Sequence, residues 1–303
     1  MNRKVLCVLV GVSSLLAGAA ASQPAPPNFA AVQIKATDLG HKTWMLEGQG
    51  GNITVVAGDD GVIMVDTEFA PLHDKIKAAV AQLSDQPINY VINTHLHGDH
   101  TGGNQAFWLD GATIVATANL KKSLAEGTTN ALTGAKTPPA PQAALPGRTY
   151  TGSTTVAVKG RRVLLTAMPT AHTGGDTSVW IADADVLATG DIVSTGMRYP
   201  NIDVGDGGDI DGIVAAVDAF IKRSDANTKI VPGHGALMTK ADLVTYRKLL
   251  VDARETVRKA KASGMTEDQV VEAKPFAADI QARAGATDAA SVNFVRLIYR
   301  SVG

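Results

Sequence analysis

Thr94-His95-Leu96-His97-Gly98-Asp99-His100 follows directly on the apolar run Ile88 to Ile92 and holds three of the chain's seven histidines. On an extended segment leaving a strand, residues i and i+2 project to the same side, so His95 and His97 can share one ion. Asp99 and His100 come just past the bend at Gly98 and face a second position. Imidazole and carboxylate ligands without thiolate suit Zn²⁺, with Fe or Mn as alternatives. The competing reading is a surface histidine cluster, and three singletons further along weigh against it. They are His172 in Pro169-Thr170-Ala171-His172-Thr173-Gly174-Gly175-Asp176, Asp191 after Gly190, and His234 in Pro232-Gly233-His234-Gly235. Each follows an apolar run and sits beside glycine, where backbone can approach closely. His41 and His73 lack such a setting and read as ordinary surface residues.

Around these residues the chain alternates short strands and helices. Strands are expected at Thr43 to Leu46, Asn52 to Ala57, Gly61 to Val65, Ile88 to Ile92, Ala112 to Ala116, Thr154 to Val158, Arg162 to Thr166, Thr177 to Ile181, Val186 to Thr189 and Lys229 to Val231. Gly58-Asp59-Asp60-Gly61 is a hairpin signal between two of them. Helices are expected at Leu72 to Leu83, through Leu120 and Leu124, at Ile210 to Ile221 and Lys240 to Lys261, near Thr266 to Glu272 and at Asp288 to Tyr299. Phe107 and Trp108 read as the core of a short helix, and Trp180 as strand core. Gly127 to Gly147, rich in Thr, Ala and Pro, reads as a long loop or a flap over a site. The mix is α/β, with no repeat and no clean linker inside 30–303.

The chain has 303 residues, 45% hydrophobic, with 28 Lys+Arg against 29 Asp+Glu. That length suits a substantial core, and the balance gives no general attraction to nucleic acid or anionic lipid. Collagen-like, disordered and disulfide-scaffold classes are excluded by composition. Asn2-Arg3-Lys4, the apolar Val5 to Leu16 and the small residues Ala19-Ala20-Ala21 have the layout of a secretory signal peptide over 1–21. Residues 22–30 read as a flexible leader, and 31–303 as the folded domain. Export to the periplasm or medium follows, without membrane insertion after cleavage. Cys7, the one cysteine, falls in the signal region, so the exported chain would hold no disulfide.

His95-x-His97-x-Asp99-His100, then His172, Asp191 and His234, resembles the dinuclear ligand set of the metallo-β-lactamase superfamily in order. Asp66, closing the run Val62 to Val65, is similar to the acid that commonly follows an early strand there. The resemblance covers about residues 30–300. It implies a four-layer αβ/βα sandwich with the metal site at one edge between two sheets. It further implies two Zn²⁺ ions: His95, His97 and His172 on the first, Asp99, His100 and His234 on the second, Asp191 bridging. The implied enzyme is a hydrolase acting on a small-molecule substrate. A hydroxide shared by the ions would attack a carbonyl of a β-lactam, lactone, ester or thioester. Asp99 would orient that nucleophile, and no covalent intermediate is needed. Family members that act on β-lactams carry Ser or Cys near the position of Asp191, so Asp191 resembles the lactonase, thioesterase and phosphodiesterase branches. Phosphodiester hydrolysis and a non-catalytic metal- or ligand-binding role are the alternatives. In the segment after Asp191, Tyr199 is a candidate donor to an oxyanion and Arg198 a candidate carboxylate holder, against packing at the Pro200 turn for Tyr199. Arg254, Arg258, Lys259 and Lys261 are either a basic substrate patch or a solvated helix face.

Overall fold

A computed structural model describes residues 28–168, 170–195, 199–276 and 288–302. The stretch expected as a signal peptide and most of the expected leader, together with Pro169 and Arg198, lie outside the described residues.

Two runs show why the chain forms a layered sandwich. In β3 (Ile53–Ala57) and β4 (Val62–Val65) every residue is buried. Successive side chains on a strand point to opposite faces, so both faces of these strands must be covered. Val56, Ile63 and Val65 pack inward against the second sheet. Ile53, Val55, Val62 and Met64 pack outward against helices α1 (His73–Ala81) and α3 (Asn104–Leu109).

The first sheet has the order β1-β2-β3-β4-β5-β6-β9. β1 (Lys35–Gly40), β2 (Thr43–Glu47), β3 and β4 pair antiparallel, while β5 (Ile88–Ile92), β6 (Thr113–Thr117) and β9 (Arg148–Tyr150) continue it in parallel. The second sheet runs β10 (Ser153–Val158), β11 (Arg161–Met168), β12 (Asp176–Ile181), β13 (Val186–Ala188) and β14 (Lys229–Val231), antiparallel except for the last pair. Its outer face is covered by α5 (Ile210–Arg223), α6 (Lys240–Ala262), α7 (Glu267–Glu272) and α8 (Asp288–Ser301), through Leu187, Ile230, Phe220, Leu250, Phe294 and their neighbours. The four layers are therefore helix, sheet, sheet, helix, as the resemblance implied. Among the described residues no helix is long and apolar enough to cross a membrane.

Most expected elements lie within two residues of their observed bounds. The differences have local causes. Phe107 is buried at 1% exposure but Trp108 stands 47% exposed, because neighbours on a helix point about 100° apart and α3 has only one covered face. His73 is half-buried rather than free on the surface, with its ring nitrogens at 2.8 Å from Asp74 and 3.1 Å from Asp110. Trp180 is only partly buried, at the rim of the outer core, with the Arg223 guanidinium 5.5 Å over its ring. The 127–147 segment carries structure of its own: a hairpin of β7 (Thr128–Thr129) and β8 (Lys136–Thr137), whose turn is tied by the Asn130 carboxamide oxygen accepting from Leu132 and Thr133. Further on, the Asn104 side chain donates to Ala144 O at 3.1 Å. Three basic residues of α6 are interhelical ties: Arg254 and Arg258 pair with Asp211 of α5, and Lys261 donates to carbonyls at the end of α8.

One buried side chain clamps the sheets together at the edge remote from the histidines. Arg161 opens β11, whose other end leads to His172. Its guanidinium donates to the carbonyls of His41, Lys42 and Ala57 and to Thr43 Oγ1, and pairs with Asp183 at 2.7 Å. Arg161→Leu removes the guanidinium bonds to those carbonyls and its pairing with Asp183, so stability should fall by about 1–3 kcal/mol in urea unfolding. Metal stoichiometry should not change, and a loss of bound metal would contradict this placement.

Candidate metal centre

β4, β5, β11, β13 and β14 all deliver their C-terminal ends to one edge of the sandwich, where open α/β sheets place ligand sites. Asp66 follows β4, His95 to His100 follow β5, His172 follows β11, Asp191 follows β13 and His234 follows β14. The chain reverses after β5 through the short helix α2 (Gly98–Thr101), which turns Asp99 and His100 back towards the strand ends. Asp66 and Glu68 both have positive φ, 65° and 51°. Non-glycine residues hold such a conformation only where their surroundings impose it.

Two donor groups form. His95, His97, His172 and Asp191 offer ligand atoms within 4.8 Å of one another, and so do Asp99, His100 and His234. The Asp191 carboxylate stands between them. Its Oδ2 is 3.9 Å from the Nε2 atoms of His95 and His172 and 3.4 Å from His234 Nε2, and its Oδ1 is 3.3 Å from His100 Nε2. Asp99 Oδ2 lies 3.2 Å from His234 Nε2. The structure thus brings together every ligand expected from the sequence.

Outer contacts decide which nitrogen of each ring faces inward. Asp66 Oδ2 accepts from His100 Nδ1 at 2.8 Å and from the Thr94 hydroxyl at 2.6 Å, and Thr94 Oγ1 lies 3.0 Å from His95 Nδ1. His97 Nε2 donates to Asp203 Oδ2 and His172 Nδ1 to the Asn201 carbonyl, both at 2.9 Å. With those protons so placed, His95 Nε2, His97 Nδ1, His100 Nε2 and His172 Nε2 present lone pairs to the cluster. His97 Nδ1 and His172 Nε2 then face each other at 3.1 Å, and His100 Nε2 and His234 Nε2 at 3.3 Å. Among the described atoms, His95 Nε2 and Asp191 Oδ1 are buried without a hydrogen bond. Facing lone pairs and orphaned buried acceptors call for a cation, and the N/O donor set fits Zn²⁺ or a similar divalent ion.

Electrostatics divides the two groups. Burial drives His95 well below the ordinary imidazole range and brings His172 down to about 4. The same burial acts on His100 and His234, but carboxylates outweigh it. Asp191 and Asp66 hold His100 well above its usual value, and Asp191 with Asp99 raises His234 to about 9. Burial also opposes charge on His97, where the bond to Asp203 prevails and the pKa rises. Asp191, which burial alone would raise, is held well below the carboxylate range by His100 and His234.

The remaining expected site residue lies elsewhere. Tyr199 is 8% exposed in the outer apolar layer, stacked on Phe294 at 5.0 Å and tilted against Phe276 at 6.1 Å. This is a packing role rather than that of an oxyanion donor beside the metal ligands. Three supporting residues had no role in the sequence reading: Thr94, Asp203 and Asp176. Asp176 accepts from Thr173 N and Oγ1 and so fixes the turn that carries His172. Thr94 adjoins the histidine motif, but Asp203 stands 106 residues from its partner His97, and no spacing rule points to it.

The model of the family described as the metallo-beta-lactamase superfamily matches residues 46–234, more than half of the chain. Among solved structures, a metallo-beta-lactamase from Pontibacter korlensis is similar at a TM-score of 0.59 and 20% identity, over 72% of this chain and 99% of that one. The DIM-1 metallo-beta-lactamase is similar at 0.57 and 19%, over 73% of this chain and 99% of its own. At such identities the likeness is one of fold. A search of curated proteins finds no match.

The protonation pattern has a measurable consequence. A metal must displace the Nε2 protons that Asp191 and Asp99 favour on His100 and His234, whereas of the other three histidines only His97 has a raised pKa. Between pH 6 and 8, metal affinity of the Asp99–His100–His234 group should therefore fall with acid more steeply than that of the other group, where burial keeps His95 and His172 free of protons. Zinc titrations at pH 6, 7 and 8 with a chromophoric competitor check this. Equal slopes would contradict it.

Proposed function

The chain belongs to the metallo-beta-lactamase superfamily, and from that footing we propose that it is an exported two-zinc hydrolase of a small molecule with a reactive carbonyl. The observation that carries the reading is the Asp191 carboxylate, set between two histidine groups with Oδ2 within 3.9 Å of rings from both. Bound there, the ions would supply Lewis acidity, polarising a carbonyl and bringing a water's pKa towards neutrality.

The residues do the rest. His95, His97 and His172 would hold one ion, Asp99, His100 and His234 the other, and Asp191 both. Asp66 and Asp203 fix the ring orientations beforehand, so ligands need not reorganise when charge develops. Asp99 has 28% of its side chain exposed against 14% for Asp191, so it is the carboxylate better placed to meet solvent and substrate. It would accept a hydrogen bond from the attacking water and orient it. The only cysteine is Cys7, far from the histidine motifs in sequence, so direct attack by water is favoured over a cysteine-bound enzyme intermediate. The near-balanced charge suits a small substrate rather than nucleic acid. An aspartate at 191 favours lactones, esters and thioesters over β-lactams.

The test is a panel of a chromogenic cephalosporin, a lactone, a thioester and a bis-aryl phosphodiester, offered to zinc-loaded protein. The expected result is metal-dependent turnover of a carbonyl substrate, abolished by chelation and reduced about 100-fold or more in Asp191→Ala. Faster phosphodiester cleavage would replace this reading with a phosphodiesterase. No turnover on any member would favour a metal- or ligand-binding protein.

A further inference from the structure

The three ligands assigned to the second ion come from two loops far apart in sequence, and a third segment that supplies no ligand touches both. This is the β2–β3 connection, Gly48-Gln49-Gly50-Gly51-Asn52. The buried Asn52 amide donates from Nδ2 to Pro232 O and to Gly235 O, both at 2.9 Å, bracketing His234, and Asn52 N donates to Gly233 O at 2.7 Å. Gly51 N donates to Asp99 O at 3.0 Å. A Cβ built on Gly51 would stand 2.0 Å from His100 Cε1, so only glycine lets the loop lie against that ring. Glu68 anchors the far end. It is fully buried, and its Oε2 accepts from Gln49 N at 3.0 Å and Gly50 N at 2.8 Å.

Resting on the two-ion reading, we infer that the Gly48–Asn52 loop is the frame of the second ion's site, with Asn52 and Glu68 as its positioning residues. It acts on Asp99, His100 and His234 alone. His95, His97 and His172 are oriented instead by Thr94, Asp203 and the Asn201 carbonyl. The loop therefore sets affinity for one ion without setting affinity for the other. A buried amide whose two protons both end on carbonyls of one turn has no better arrangement available, so the His234 turn is held as a unit.

The experiment is zinc titration against a chromophoric chelator, resolving two dissociation constants, with the ion missing in His234→Ala defining the second. Asn52→Asp turns the donor into an acceptor facing two carbonyls, and Gly51→Ala pushes on the His100 ring. Each should weaken the second ion about 10–100-fold and leave the first within about threefold. Glu68→Gln keeps an acceptor oxygen and should stay near wild type, while Glu68→Leu should behave like Asn52→Asp. Ile63→Val, a core change between the sheets, controls for general destabilisation and should move neither constant. If Asn52→Asp does not fold, Gly51→Ala and Glu68→Leu carry the same comparison. Both constants weakening together, or neither moving in folded variants, would overturn the inference. A wild type that binds a single ion would overturn the two-ion reading and this inference with it.

Discussion

Burying imidazole rings with their lone pairs turned inward costs free energy that no hydrogen bond inside the cluster returns. Here His95, His97, His100, His172 and His234 converge on Asp191, and outer acceptors hold the second nitrogen of the first four. Such an arrangement is tolerable only if a proton or a metal ion sits among the rings. Protons can serve on the Asp99 side, where carboxylates raise His100 and His234, but not at His95 and His172, which burial keeps neutral. The cluster is thus built for a cation that binds lone pairs, and the rest of the site is the apparatus that keeps those lone pairs aimed.

That apparatus depends on the sandwich. Strands buried on both faces fix their own register, because a slip by one residue would exchange the inter-sheet face for the helical face. With register fixed, the ends of β4, β5, β11, β13 and β14 reach the same edge, and loops of a few residues suffice to carry the ligands. The remote edge is closed by Arg161, and the layers are tied outside by Arg254, Arg258 and Lys261. A chain with one cysteine can form no internal disulfide, so packing and polar ties hold it together, and in this account bound metal adds to both.

Much of this was legible in the sequence because the decisive signals are local. The unbroken apolar run Val62 to Val65 reports a strand buried on both faces, and His95-x-His97 after the apolar run Ile88 to Ile92 reports ligands on one side. Asp66 stood out only through the family resemblance. What escaped lies in contacts across the chain. Asp203 meets His97 from 106 residues away, and Asn52 reaches Pro232 across 180. Nothing in their neighbours' composition distinguishes them from ordinary loop residues. Tyr199 misled in the opposite sense. Its position after Asp191 suggested the site, whereas the ring packs in the outer core beside Phe294. The strand β9 was invisible because three residues carry no period, and its pairing with β6 is a tertiary event.

The central claim is that one carboxylate joins two metal positions. Crystals of zinc-loaded protein, measured on both sides of the zinc absorption edge, test it most directly. The account predicts two anomalous peaks roughly 3.5–4 Å apart, with Asp191 between them and the two histidine groups on either side. A single peak held by His95, His97 and His172, with His100 and His234 left to protons, would contradict it.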